Sequence, residues 1–111
     1  MATISNLSID QGTDYSVTVT VTDTTGSARD LTDYTAKSQI RRSYYTNSNI
    51  AFDVNIYNPS IGEITLEMNS ATTGNLKPGR YVYDLELKSN STLQIERIVE
   101  GIVTVYPEVT R

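Results

Sequence analysis

Paired carboxylates are the first groups in this chain that could do chemistry. Glu63 and Glu67 stand four apart, and Asp84 and Glu86 two apart, in stretches that alternate apolar and polar residues. Two facing carboxylates can cut a glycosidic bond, one as acid and the other as base or nucleophile. In an extended strand, however, residues i, i+2 and i+4 share one face. Each pair therefore reads as part of a charged solvent face, matched across the sheet by Arg97 or Lys88. Lys37 and Ser38 are adjacent, so in a strand they point to opposite faces and cannot form a Ser-Lys nucleophile. The chain has no His and no Cys. That removes the commonest base and metal ligand, thiol chemistry and stapling by disulfides.

Asp10 and Asp14 flank Gly12, and Asp30 and Asp33 flank Leu31-Thr32. Neither spacing is that of a calcium loop with its closing Glu. Loop aspartates of this kind cap turns through their own backbone. A structural calcium, if the chain holds one, belongs at Asp30 and Asp33. Gly26, Gly62, Gly74 and Gly79 are isolated turn glycines, so no loop cradles a phosphate. The reading is of a non-enzyme with no catalytic residue, no cofactor and no metal ligand.

Interaction chemistry is better represented. The polar stretch from Arg42 to Asn49, with Arg41 before it, offers Arg41, Arg42, Tyr44 and Tyr45, and Tyr and Arg anchor wet protein interfaces. The competing reading is that Tyr44 and Tyr45 cover one end of the core. The C-terminal segment Pro107, Glu108, Val109, Thr110 and Arg111 continues a long strand and is placed to lie along a neighbouring subunit. An outward row of Val82, Thr65 and Thr18 is a further neutral, sticky surface.

The elements that must position these groups are strands. Tyr15 to Val21 alternates Tyr and Val with Ser and Thr, the pattern of a half-buried strand. Ile4, Leu7 and Ile9 suggest an edge strand before it, and Asp23 to Ser27 a Gly-containing turn after it. Leu31 reads as a buried anchor in the link to a strand over 35–42, with Ala36, Ser38 and Ile40 on one side. Phe52, Val54 and Ile56 alternate, turn at 58–62, and return as Ile64, Leu66 and Met68, the strongest local hairpin. Ser70 to Gly79 is a polar connection with no convincing helix. Tyr81, Tyr83, Leu85 and Leu87 share the next face. In the last strand, Leu93 to Tyr106, Ile98 and Ile102 fall out of register with Ile95, Val99, Val103 and Val105. A bulge near Gly101, or burial on both faces, accounts for the slip. Strands with one greasy face each, in a chain of 111 residues, close most economically as a two-sheet antiparallel β-sandwich of six to eight strands.

Composition sets the outer limits. Hydrophobic residues make up 38% of the chain, enough for one core and too many for a disordered tail. Eight Tyr stand against one Phe and no Trp, a bias that suits thin sheets and wet interfaces because Tyr packs its ring and still shows a hydroxyl. A formal net charge of −4 with scattered basic residues argues against nucleic acid as a partner. No apolar run approaches membrane-spanning length, so no membrane partner is expected. The opening MATISNLSID has neither a basic segment nor an apolar run and reads as no secretion signal. The initiator Met suggests either a complete small gene product or a piece that starts at a native N-terminus, organised as one domain over residues 1–111 with 107–111 as an extended tail.

With those residues in place, a resemblance can be stated. DTTGSARDLTDYTAKSQIR (Asp23 to Arg41), IGEITLEM (Ile61 to Met68), GRYVYDLEL (Gly79 to Leu87) and RIVEGIVTVYPEVTR (Arg97 to Arg111) cover most of the chain beyond Val21. Together they resemble small virion structural proteins of tailed bacteriophages, especially those of marine cyanobacterial phages. Asp33 stands where a related pattern often has Gly after DLT. The resemblance implies an immunoglobulin-like sandwich similar to N-terminal domains of baseplate proteins, acting as an assembly or adaptor module of tail, neck or baseplate. It implies location in the virion, with other virion proteins and copies of itself as partners, and it carries over no functional residue. Two alternatives stay open: a capsid decoration protein, and a carbohydrate-binding module contacting host glycans.

Overall fold

A computed structural model describes residues 3–23, 25–43, 45–46 and 49–110. Nine strands occur among them: β1 (Thr3–Ile4), β2 (Leu7–Asp10), β3 (Tyr15–Thr20), β4 (Tyr34–Arg41), β5 (Ile50–Ala51), β6 (Asp53–Asn58), β7 (Glu63–Met68), β8 (Gly79–Ser89) and β9 (Ile95–Tyr106). A 3-10 turn at Pro59–Ile61 joins β6 to β7, and a single-turn helix, α1 (Ser70–Gly74), follows β7. One sheet runs β1-β9-β8-β4-β5 with β2 also on β9; the other runs β3-β7-β6. The two close on one core that includes Ile9, Leu31, Ile40, Ile64, Leu66, Leu85, Leu87, Val103 and Val105.

This is an immunoglobulin-like β-sandwich, with strand neighbours that follow that architecture. It also carries that fold's tyrosine corner: Tyr81, at the start of β8, donates its hydroxyl to the Lys77 carbonyl at 2.6 Å. The sheets are not wholly antiparallel, because β1 and β2 both run parallel to β9. β9 is thereby an interior strand, paired on its other side with β8.

The alternating patterns became strands because each buries one face. Ile64, Leu66 and Met68 are all buried, as are Tyr81, Tyr83, Leu85 and Leu87 on β8. Leu31 is the expected anchor, 1% exposed in the link before β4. Asp33, just beyond it, takes the left-handed φ of 70°, a conformation Asp tolerates and Gly favours. The chain crosses between sheets at Phe52: β5 pairs with β4, β6 pairs with β7, and the Phe52 N–H bonds the Ser38 carbonyl. The Phe52 ring packs between Tyr15 and Tyr83, 6.3 Å from each.

The parity slip in β9 has its physical cause three residues before the expected place. The register jumps between Leu85↔Val99 and Glu86↔Arg97, so Ile98 is the extra residue of a bulge. Ile98 and Val99 are consequently both buried, while Ile102 remains 40% exposed. Gly101 has a different task. A Cβ there would run into the Ser5 carbonyl, at the joint where β1 passes into β2.

The connection from Ser70 to Gly79, expected without helix, contains α1. Asn69 caps it, its side chain accepting the Thr72 N–H at 2.9 Å. Thr73 is fully buried and donates its hydroxyl to the Thr13 carbonyl at 2.7 Å. Leu76 follows into the core at 1% exposure.

Candidate functional site

The interface candidates gather at one end of the sandwich, where β4 and β9 finish and β8 begins. Gly79 faces Val105 there, and Arg41 faces Val82. Arg41 turns back on its own loop, donating to the Thr46 carbonyl at 2.6 Å and to Gln39 Oε1 at 3.3 Å. Arg42 lies over the Tyr81 ring at 4.7 Å and donates to the carbonyls of Arg80 and Pro78. Such stacking suits a guanidinium, whose planar cation is attracted to the ring face. Gly79 makes the approach feasible. Its φ is 131°, and a Cβ there would stand 2.6 Å from the Arg42 guanidinium.

Both arginines thus brace the loop rather than project from it. What they present is Tyr45, 96% exposed. Tyr44 and Arg111, also expected at an interface, lie outside the described residues.

The tail reaches the same end. β9 stops at Tyr106, and Pro107 to Thr110 is not strand. Because β9 is interior, the tail does not prolong an edge; it folds onto the turn after β2. The Glu108 N–H bonds Gln11 Oε1 at 3.0 Å, Gln11 N–H bonds the Tyr106 carbonyl, and Gln11 Nε2 donates to the Leu76 carbonyl. Pro107 and Thr110 are exposed and Val109 is 92% exposed. Gln11 therefore clamps tail, turn and core connection together. Its one sequence signal is its place in the turn run from Asp10 to Asp14.

The carboxylates sit on outer sheet faces. Asp84 is ion-paired to Arg97 at 3.3 Å, and Arg97 also reaches Glu100 at 3.2 Å. Glu86 stands in register with Lys37 on one side and Arg97 on the other. A shallow depression of about 590 Å³ on this face is lined by Lys37, Gln39, Asp84, Glu86 and Arg97 and reaches Tyr45. Glu63 and Glu67 belong to the other sheet, away from Arg97 and Lys88. There Asn58 bonds Glu63 at 3.4 Å, and Glu67 faces Ser16 and Asp53. Val82 is likewise in a different sheet from Thr18 and Thr65, so the three form no single row. Ser38 is buried, donating its hydroxyl to the Asp84 carbonyl, while Lys37 is exposed on the opposite face.

The loop aspartates act on the backbone. Asp30 Oδ1 accepts from Thr32 N–H and hydroxyl, and Asp23 Oδ1 from Thr25 N–H, Thr25 hydroxyl and Ser27 N–H. These bonds favour the charged form and hold both carboxyls below the usual range. Asp14 accepts the Ser70 N–H at 2.7 Å, tying the turn before β3 to the start of α1. Among the described residues, no three Asp or Glu side chains converge on a cation site.

No protein-family model matches this chain, and no curated protein matches it. Among solved structures, InlP of Listeria monocytogenes superposes with a TM-score of 0.50 and 15% identity, over 95% of this chain and 28% of that one. The NK cell receptor Nkp44 gives 0.45 and 14%, over 96% of this chain and 99% of its own. A family 123 glycoside hydrolase from Clostridium perfringens gives 0.43 and 12%, over 97% and 24%. At such identities the likeness concerns the fold alone.

Proposed function

We propose that this chain is a non-enzymatic structural protein of a tailed-phage virion, an assembly or adaptor module of tail, neck or baseplate. The observation that carries the reading is the end surface. Tyr45 at 96%, Val109 at 92% and Tyr106 at 51% exposure stand at the end where Arg41, Arg42 and Gln11 fasten loop and tail. Large side chains held out on a braced scaffold suit docking, because less ordering entropy remains to be lost on contact. The phage setting is supported by the resemblance of Asp23 to Arg41 and of the three later stretches.

Cryo-electron microscopy of the particle that carries this gene tests the reading. Sandwich density ringed about the tail axis, with Tyr45 and Val109 against a neighbour, is the expected result. Density on the capsid lattice would make the chain a decoration protein instead. Absence from the purified particle would overturn the structural role.

A second reading is favoured by the depression beneath Tyr45, whose lining mixes cations, carboxylates and the Gln39 amide. Such a surface can hydrogen-bond a polyol while a Tyr ring stacks on it. Binding of the isolated chain to a glycan array, lost in Tyr45→Ala, would favour a carbohydrate-binding module.

A further inference from the structure

We infer that two copies of this chain pair through the free edge of β3, antiparallel about a two-fold axis at Thr18, so that their three-stranded sheets become one continuous sheet. The inference deepens the assembly reading by naming a surface through which copies meet. Imaging of a particle tests that reading; the behaviour of the isolated chain tests this one.

The edge is open because the chain's first strands are committed elsewhere. β1 and β2 both lie along β9 in the other sheet, and among the described residues the order β3-β7-β6 leaves β3 bonded on one side. Val21 N–H bonds the Gly62 carbonyl, in line with the β3–β7 register. Antiparallel alternation then turns the N–H and C=O of Ser16, Thr18 and Thr20 towards the open side. Beside that edge runs a groove of about 850 Å³, bordered by Val17 to Asp23 on one wall and by Thr3, Leu7 and Ile98 on the other, with Arg29, Glu96 and Arg97 also lining it. Val17 and Val19 are half-buried, their exposed sides turned into it.

The chemistry of the strand selects a second copy as occupant. Ser16-Val17-Thr18-Val19-Thr20 reads as hydroxyl, valine, hydroxyl, valine, hydroxyl in either direction. A two-fold at Thr18 sets Thr18 against itself, Ser16 against Thr20 and Val17 against Val19. Valine meets valine on the groove side and hydroxyl meets hydroxyl on the outer side, both favoured cross-strand pairs. In this register the inner and outer faces of the two copies coincide, whereas a one-residue slip would exchange them. Charge agrees: Tyr15–Thr20 holds no formal charge in a chain of net −4. The sheet's other edge, β6, carries Asp53 and a register irregularity between Ile56 and Asn58. Acidic residues and bulges are the devices that keep edges apart, and β3 has neither. An isologous contact of this kind closes as a dimer.

The test is sedimentation velocity of the purified chain from roughly 10 µM to 1 mM, the span suited to a small edge contact. It is paired with amide exchange of Ser16, Thr18 and Thr20 at both limits. We expect a shift from monomer to dimer as concentration rises, with slowing of those three amides and no change along β6. Thr18→Lys opposes two ammonium groups across the axis at an exposed position, and is expected to stay monomeric with its thermal midpoint unchanged. A wild-type chain that remains monomeric, or whose three amides exchange equally fast at both limits, would overturn the inference. So would a dimer that protects β6 or that survives Thr18→Lys. The exchange measurement decides the matter even if the variant folds poorly.

Discussion

The Tyr83 hydroxyl donates to the Ser5 carbonyl at 2.5 Å, across a sequence separation of 78 residues. Tyr83 faces Gly101 on β9, and Ser5 is the joint between β1 and β2 on the far side of that strand. A core side chain of β8 therefore reaches over a glycine to hold the N-terminal strands. Tyr83→Phe keeps the ring and its edge contact with Phe52 but leaves the carbonyl without this donor. We expect a loss of about 1 kcal/mol in denaturant unfolding. Amide exchange should quicken at Ser5, whose N–H bonds the Glu100 carbonyl, before it does in β4 or β8. Uniform quickening would show that the bond holds no particular strand.

Gly101 tests the same joint from the other side. Its added Cβ would meet the Ser5 carbonyl and the Asn6 side chain, whose Oδ1 accepts the Ile102 N–H at 3.0 Å. Backbone cannot yield there without parting β1 from β9. Gly101→Ala is expected to cost about 1–3 kcal/mol, as overpacking does, and to expose the first residues to protease. Unchanged stability and cleavage would mean that the N-terminal strands sit farther from β9 than described.

Much of this fold was legible in the alternation of apolar and polar residues. Ile64, Leu66 and Met68, and Tyr81 to Leu87, could bury one face only as strands. What alternation could not reveal was which strands share a sheet. Glu63 and Asp84 look equivalent along the chain, yet only Asp84 lies beside Arg97. Phe52 reads as one strand with Val54 and Ile56, whereas the chain changes sheet there, β5 pairing with β4 and β6 with β7. The bulge was legible as a slip but expected near Gly101, three residues too late, since pairing with β8 decides where it falls. At the candidate site, Tyr45 and the tail were legible by type. The self-directed bonds of Arg41 and Arg42 were not, because they depend on carbonyls brought near by β8.

Leu76 makes the packing argument quantitative. It lies in a polar connection, yet it is buried beside fully buried Thr73, with its carbonyl accepting from Gln11. Leu76→Ala should cost about 2–5 kcal/mol, the range for truncating a buried leucine. A surface leucine would change stability by less than about 0.5 kcal/mol. Leu93, 65% exposed at the β8–β9 turn, is the control: Leu93→Ala should fall in that small range. Similar values for the two would contradict the burial of the α1 connection.

Arg29 fastens the link before β4 to β9, its guanidinium donating to both carboxylate oxygens of Glu96 at 2.9 and 3.0 Å. That bond, and then the charge of Arg29, hold the Glu96 carboxyl below its ordinary range. A depressed folded value contributes stability above the unfolded value, near pH 4, and loses it as pH falls through the folded one. The Glu96 side chain is 53% exposed, so solvent screens the pair. Glu96→Gln should cost less than about 1 kcal/mol at neutral pH and nothing once wild-type Glu96 is protonated. A pH-independent difference between the two proteins would point to packing rather than charge.

At the alkaline limit, two tyrosines carry the dependence. Burial raises the phenol of Tyr15, and the neighbouring Tyr83 raises it further; burial also raises Tyr83 itself. A folded value above the unfolded one gives stability that is complete below about pH 10, the ordinary phenol value. It is lost as pH rises through the folded value. Ionised Tyr83 would also give up its donated bond to Ser5. Phenolate absorbance across an alkaline titration should therefore show a late step from Tyr15 and Tyr83. That late group should coincide with unfolding seen by circular dichroism. Removing the hydroxyl in Tyr83→Phe should shrink that late group and, by ending the repulsion, bring Tyr15 to lower pH. If Tyr15 and Tyr83 of the folded wild-type chain ionised at the ordinary phenol value, the Tyr15–Phe52–Tyr83 stack would have to be open to water.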